Sequence, residues 1–151
     1  LWPFHLLGAG ACPGSRSGRF PGLTMSTIQL CRATNPPTSE AVHINPTAVL
    51  FVEAVPEQQV GQTSVQVFGQ TQESIRVVDS LAKVLEMLPG SVAVRRHYHA
   101  VVPPDGGSVV HVYPSNVASI VSDTAHEPMF WTITFKDRFE LRVMSPLPST
   151  L

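Results

Sequence analysis

The stretch RRHYH, residues 95–99, is the most concentrated group of side chains in this chain that could do chemistry. On a β-strand, His97 and His99 would share one face, and His111 could add a third imidazole ligand for a metal ion. No Cys or Glu follows at a matching ligand spacing, although Asp105 lies in the next loop. We therefore predict no metal site and no cofactor.

The same five residues are candidate nucleic-acid contacts. Arg95 and Arg96 could bind phosphate while Tyr98 stacks on a base, with His97 and His99 beside them. The whole chain has 10 Lys and Arg against 11 Asp and Glu, a net charge of −1. That balance argues against a strongly basic surface, which supplies most non-specific affinity for DNA. A solvated or partner-facing strand is the simpler interpretation.

Two other histidines occupy equivalent places, because His43 and His111 each stand three residues before a proline. A paired metal site or a pH switch is one interpretation, and a hydrogen bond to the backbone at a bend is the other. Proline lacks the backbone donor of a sheet and ends a strand. We predict that Pro46 and Pro114 are structural corners and that both histidines serve the bend.

Nothing in the sequence indicates catalysis. The motifs of serine hydrolases, phosphate-binding loops, dinucleotide-binding folds and zinc proteases are absent. Glu53 and Glu57 flank a predicted turn, and Asp79 or Ser80 is placed to cap a helix. No nucleophile has a base near it in the sequence, so we predict that the protein is not an enzyme.

An internal repeat organises the elements that carry these residues. VHINPTAVLFVEAV (42–55) is matched further along the chain by VHVYPSNVASIVSD (110–123). We align 27–54 with 95–122 without a gap, and further strand patterns follow in the same order in both copies. Alternating apolar residues predict β-strands in each copy. In the first copy they are 27–33, 40–45, 48–55, 63–68 and 73–78.

The later strands of the second copy are predicted as a hairpin. Trp131, Ile133 and Phe135 alternate with polar residues, and Phe139 begins a second alternating stretch after a turn at 136–138. Between the copies, DSLAKVLEMLPG (79–90) has the spacing of an amphipathic helix. The second copy ends in SPLPSTL without a helix, so either both copies share the helix or a partner chain covers the second.

These patterns predict a mainly β protein, with two tandem small antiparallel β units packed together with one short helix. We expect a disordered or leader arm at 1–24, a first β unit with the helix at 25–90, and a second β unit at 91–151. Secretion is not favoured, because the arm has no basic start. Two cysteines, Cys12 and Cys31, are too few for a disulfide framework.

The first unit resembles the small β modules of the flagellar FlbD-like proteins and their phage and bacterial relatives. The steps that carry the resemblance are VHINP, AVLFVEA, TSVQVF and IRVVDSLAKVL, all within 28–88. The resemblance implies a fold rather than a chemistry. Together with a charged content of only 14%, it leads us to expect a phage or mobile-element structural protein that associates with itself or with protein partners, in the cytoplasm or the virion.

A second resemblance is to the LytTR DNA-binding domain of response regulators. It rests on LFVEA (50–54), SLAKVLEMLP (80–89) and RRHYHAVV (95–102), followed by ELRVMS near the end. Where that family has DNA-contacting Arg, Ser and Asn, this chain has Tyr98, His99 and Pro103. The alternative function is therefore a LytTR-like regulatory domain that binds DNA through 95–99.

Overall fold

The computed structural model describes residues 16–19, 26–34, 40–55, 62–70, 74–96, 109–123, 130–144 and 147–151. These residues form three antiparallel β-sheets and one short α-helix. The predicted fold class, mainly β with a short helix, is confirmed. Among the described residues, no helix is long and apolar enough to cross a membrane.

The strands follow the predicted order closely. Their bounds are β1 (Arg16–Arg19), β2 (Ser26–Cys31), β3 (Ala41–Ile44), β4 (Val49–Ala54), β5 (Thr63–Val67), β6 (Ile75–Val77), β7 (Val92–Arg95), β8 (Val109–Val112), β9 (Val117–Asp123), β10 (Phe130–Phe135) and β11 (Glu140–Met144). The helix, α1, spans Leu81–Met87 and begins at its N-cap Ser80, whose side chain accepts from the Lys83 N–H. One outer sheet has the order β1-β2-β3, the central sheet β6-β5-β4-β8-β7 and the other outer sheet β11-β10-β9.

The internal repeat is visible as a repeated series of elements. In the first unit, β2 to β6, a 3-10 turn at Pro46–Ala48 joins β3 to β4. In the second unit, β7 to β11, a 3-10 turn at Pro114–Asn116 joins β8 to β9. We name these turns the first and second corners. Each proline opens its corner, where the missing N–H costs no hydrogen bond.

A β-bulge recurs directly after each corner. Register shifts between Val49 and Phe51 on β4, so Leu50 is the extra residue. The pairing of β10 with β9 shifts in the same way between Thr134 and Phe135, so Ala118 is the extra residue on β9. A bulge turns two successive side chains to one side of a strand. The repeat therefore extends to the local backbone geometry and not only to the apolar pattern.

The register of the first hairpin corrects one detail of the sequence alignment. Ile28 of β2 pairs with Ile44, and Val92 of β7 pairs with Val112. The counterpart of β2 is therefore β7, and Ile28 corresponds to Val92 rather than to Arg96. The gapless alignment, which set 27–31 against 95–99, is wrong for this strand because the loop that follows it is longer in the second unit. The alignment remains valid from β3 and β8 onward.

The described residues form two hydrophobic cores. The first core joins β2, β3, β4, β5 and β6 to the buried Val84 and Leu88 at α1. The second core is built from β7, β8, β10 and β11, with Leu50 and Phe51 contributed by β4. Leu147 and Leu151 pack against the second core from the C-terminal end of the chain. The helix thus belongs to the first core, and the second core is closed in part by the tail.

Two local findings at the first outer sheet bear on the sequence interpretation. Arg16–Arg19, inside the segment 1–24 for which we expect a disordered or leader arm, forms β1 and pairs with β2. Asp79 does not cap the helix, since Ser80 does. Instead, Asp79 Oδ1 accepts from the Cys31 N–H at 3.0 Å and ties the start of α1 to β2. Cys31 is itself disulfide-bonded, and the chain's other cysteine, Cys12, lies outside the described residues.

Candidate functional site

The two units join through one strand pair, which we call the unit junction. On it, β4 pairs antiparallel with β8, and the matched residues are Phe51 with Val112, Val52 with His111, and Glu53 with Val110. The Tyr113 N–H donates to the Leu50 carbonyl at 2.9 Å and extends the pairing by one step. The central sheet therefore contains strands of both units, and its main-chain hydrogen bonds hold them together.

Phe51 carries the side-chain packing of the unit junction. The bulge at Leu50 turns both Leu50 and Phe51 into the second core, where Phe51 is only 2% exposed. Its ring centroid lies 5.8 Å from that of Phe135 and 5.7 Å from that of Phe139. These separations are typical of favourable tilted aromatic pairs. A residue of the first unit thus completes the core of the second.

An ion pair between Glu53 and Arg96 crosses the unit junction. Arg96 Nη1 donates to Glu53 Oε2, and its guanidinium carbon also lies 5.9 Å from the Phe51 ring centroid. The Glu53 side chain is 11% exposed and that of Arg96 31%. Burial raises the pKa of Glu53 above its ordinary value, while the charge and hydrogen bond of Arg96 oppose that rise. The carboxylate needs Arg96 because little water reaches it.

Asn116 joins the two corners to each other. Its Nδ2 donates to the Thr47 carbonyl at 2.9 Å and to the Val49 carbonyl at 2.8 Å. Both acceptors are carbonyl oxygens, which fixes the orientation of the amide. The side chain is buried, so water cannot replace these bonds without opening the structure.

We expect Asn116→Ala to lower the free energy of unfolding by about 1–3 kcal/mol, because the buried bond to the Val49 carbonyl and the partly buried bond to the Thr47 carbonyl are both lost. Urea unfolding followed by circular dichroism measures this change. The matched control is Ser115→Ala, a neighbouring substitution at an exposed residue of the same corner, for which we expect a change within about 0.5 kcal/mol. Equal midpoints for the two variants would show that Asn116 does not hold the corners together.

Tyr113 links the helix to the second unit. Its hydroxyl donates to the Leu88 carbonyl at 2.6 Å, at the C-terminal end of α1. Burial raises the pKa of Tyr113 to about 12, and a side-chain hydrogen bond with Ser91 opposes the rise. The phenol therefore stays protonated at neutral pH and acts as a fixed structural donor. This residue takes part in the first core although it follows a strand of the second unit.

The structure does not bring the two repeated histidines together. His43 is exposed on β3 in an outer sheet and pairs with Gln29. His111 lies on β8 in the central sheet, between Val52 and Ala93, and burial lowers its pKa. The part of the chain that the structure describes contains no group of three or more His, Cys, Asp or Glu residues placed to hold a metal ion.

Of the five candidate DNA-contacting residues, only two are described. Arg95 is exposed at the end of β7, and Arg96 forms a bridge to Val143 of β11. The guanidinium of Arg96 is directed to Glu53. His97, Tyr98 and His99 lie outside the described residues. Of the two arginines in the motif, Arg95 is therefore exposed, and Arg96 forms an ion pair within the protein.

The outer strand β9 has most of its described side chains exposed. It is the last strand of the order β11-β10-β9, and no described strand lies beyond it. Ala118, Ser119, Val121 and Ser122 are all exposed, Val121 to 61%. From Val117 to Ser122 the strand has neither a charged residue nor a proline, the devices that usually protect a sheet edge from pairing.

Comparisons of the chain with family models, with curated proteins and with solved structures gave no significant match. Three residues of the unit junction and its corners, Phe51, Glu53 and Asn116, have no predicted functional role in the sequence. The pattern only places Glu53 beside a turn. A glutamate at the end of the apolar run AVLFVEA was the available signal, because a buried carboxylate requires a cation nearby.

Proposed function

We propose that this protein is a non-enzymatic interaction or assembly component that binds an extended protein segment along β9. The observation that carries the proposal is the exposed, uncharged outer edge of that strand. Exposed sheet edges bind extended segments by adding a strand, where main-chain hydrogen bonds provide affinity and side chains provide selectivity. A phage or mobile-element origin rests on the resemblance of the first unit and on the low charged content of 14%.

Hydrogen-bond geometry supports β9 as the binding edge. The Phe135 N–H donates to the Phe139 carbonyl at 2.8 Å and closes the β10–β11 hairpin. Because antiparallel pairing alternates, Thr132 and Thr134 then direct their main-chain groups to β9, where they meet Val121 and Ser119. The main-chain groups of Ile120 point the other way, toward the outer edge. Its side chain packs against the second core and keeps the strand in place.

DNA binding of the LytTR type is the less favoured function. Phosphate contacts require exposed cations, and the ion pair with Glu53 occupies the guanidinium of Arg96. The net charge of −1 also argues against a strongly basic surface. Retention on duplex DNA that falls with salt, and that is lost in the double variant Arg95→Ala with Arg96→Ala, is the result that would favour this alternative.

The test of the proposed function is binding of a strand probe. We expect a short capped peptide of alternating Thr and Val, labelled with a fluorophore, to bind the protein saturably in an anisotropy titration. Val121→Lys should abolish binding, because a lysine is one of the residues that block edge pairing. Val78→Lys is the matched control, since Val78 is an exposed valine beyond β6, 51% exposed. The absence of binding, or equal loss in both variants, would overturn the proposal.

A further inference from the structure

We propose that the segment received by β9 is β3 of a second copy of this chain, so that copies join head to tail. This inference rests on the proposed function, since it names the partner of the same edge. Its basis is the internal repeat. The unit junction already shows how one unit of this fold binds another, through the pair of β4 with β8. The repeat counterparts of these two strands, β9 and β3, each lie at the edge of an outer sheet among the described strands.

The repeat assigns each strand of the unit junction a counterpart. The counterpart of β4, which follows the first corner, is β9, which follows the second. The counterpart of β8, which precedes the second corner, is β3, which precedes the first. Among the described strands, both β3 and β9 end their sheets, in the orders β1-β2-β3 and β11-β10-β9. A second copy could therefore repeat between chains the pairing that each chain makes internally.

The correspondence between the units, which sets His43 against His111, also predicts the register. Within one chain, Val52 pairs with His111 and Glu53 pairs with Val110. The equivalent pairs between two chains are Ile120 with His43 and Val121 with Val42 of the second copy. Ile120 directs its main-chain groups outward, as Val52 does when it meets β8. The bulge recurs in both units, at Leu50 and Ala118.

The side chains predict a weaker contact than the unit junction. Phe51, buried in the second core, is replaced in β9 by Ser119, and Leu50 by Ala118. Ala118 and Ser119 are exposed in the single chain, as expected for positions that meet the second copy. Their small size removes the aromatic anchor of the junction. We therefore expect reversible association that increases with protein concentration.

Such a contact is heterologous, because β9 of one copy meets β3 of the next. Each added copy presents a new β9 edge, so growth continues unless the rotation per copy closes a ring. A single isologous dimer is not expected. β3, with the sequence AVHI, contains no Asp, Glu, Lys or Arg, and neither do residues 119–122 of β9, which it would meet.

Cysteine cross-linking tests the register directly. Val42→Cys and Val121→Cys are prepared as separate variants of the full chain, mixed and oxidised mildly. In this register the two residues form a non-hydrogen-bonded pair with a Cα separation of roughly 4.5 Å, within the range of a disulfide. We expect a covalent dimer from the mixture. The matched control replaces Val121→Cys with Val78→Cys, and the wild-type chain reports any exchange with the native disulfide.

Sedimentation velocity over a concentration series provides the second measurement. We expect the mean mass of the wild-type chain to rise with concentration, and Val121→Lys to weaken association at least about tenfold, or ~1.4 kcal/mol. Val78→Lys should leave it unchanged. A wild-type chain that stays monomeric and gives no β3–β9 cross-link overturns this inference. If the strand probe still binds β9 in that case, the proposed function stands and the partner is a different protein.

Discussion

Phe51→Ala is expected to lower the free energy of unfolding by about 3–5 kcal/mol, the range for truncating a buried phenylalanine. The loss is large against a typical total stability of about 5–15 kcal/mol. Phe51 is 2% exposed and contacts the rings of Phe135 and Phe139 from the other unit. Removing the Phe51 ring leaves a cavity in the second core. The strand that carries Phe51, β4, belongs to the first unit.

The change should therefore appear most strongly in the second unit. Hydrogen exchange followed by mass spectrometry is expected to show faster exchange in β10 and β11 than in β5 and β6, because the lost contacts lie in the second core. Urea unfolding gives the total loss. Phe68→Ala is the matched control, since Phe68 is 48% exposed, and we expect it to cost less than about 0.5 kcal/mol. Similar costs for the two variants would contradict this role of Phe51.

Arg96→Gln is expected to destabilise the fold by about 2 kcal/mol at pH 7. Removing one partner of a fully buried ion pair costs roughly 3–5 kcal/mol, and we reduce that range because the Arg96 side chain is 31% exposed. The variant leaves the Glu53 carboxylate buried without its cation. The contact of the guanidinium with the Phe51 ring is lost as well.

The pH dependence separates the charge from the packing. Burial already raises the pKa of Glu53 in the wild-type chain, and loss of Arg96 should raise it further. An acid with a raised folded-state pKa contributes stability below its unfolded pKa, near 4.5, and loses it as the pH rises through the folded value. The deficit of Arg96→Gln against wild type should therefore shrink as the pH is lowered from 7 toward 5.

Two further variants complete this test. Glu53→Gln combined with Arg96→Gln should recover part of the loss at pH 7, because no buried charge is left unpaired. Arg32→Gln is the matched control, since Arg32 follows the first strand of the first unit and pairs with Glu40 at 3.2 Å with both side chains about half exposed. Exposed pairs contribute roughly 0–1 kcal/mol. A pH-independent deficit in Arg96→Gln would assign its effect to packing alone.

Local patterns in the sequence were sufficient for the elements. Alternation of Trp131, Ile133 and Phe135 predicted β10, and Phe130–Phe135 is a strand. The predicted helix at 79–90 contains Leu81–Met87, with Ser80 as its cap. These features depend on side chains that are close to each other in the sequence, so the sequence pattern alone predicts them. The repeated prolines are of the same kind, because each acts on its own backbone.

Such local patterns could not predict the unit junction, the pairing of β4 with β8. Nothing near β4 in the sequence specifies that it pairs with β8, which follows it only after β5, β6, the helix and β7. Strand pairing depends on which apolar faces can be buried together and on the loops that join them. The same limit applies to Glu53 and Arg96, which lie on different units. A carboxylate in a buried strand indicates that a cation is needed, but not which one.

The sequence by itself determined the two repeated units, their strands, both corners and the single helix, because periodicity and proline act locally. The tertiary structure alone decided that Phe51 completes the other unit's core, that Asn116 joins one corner to the other, and that β3 and β9 end their sheets among the described strands. These outcomes follow from long-range burial and hydrogen bonding, where a strand takes the neighbour that buries the most apolar surface with its main chain paired.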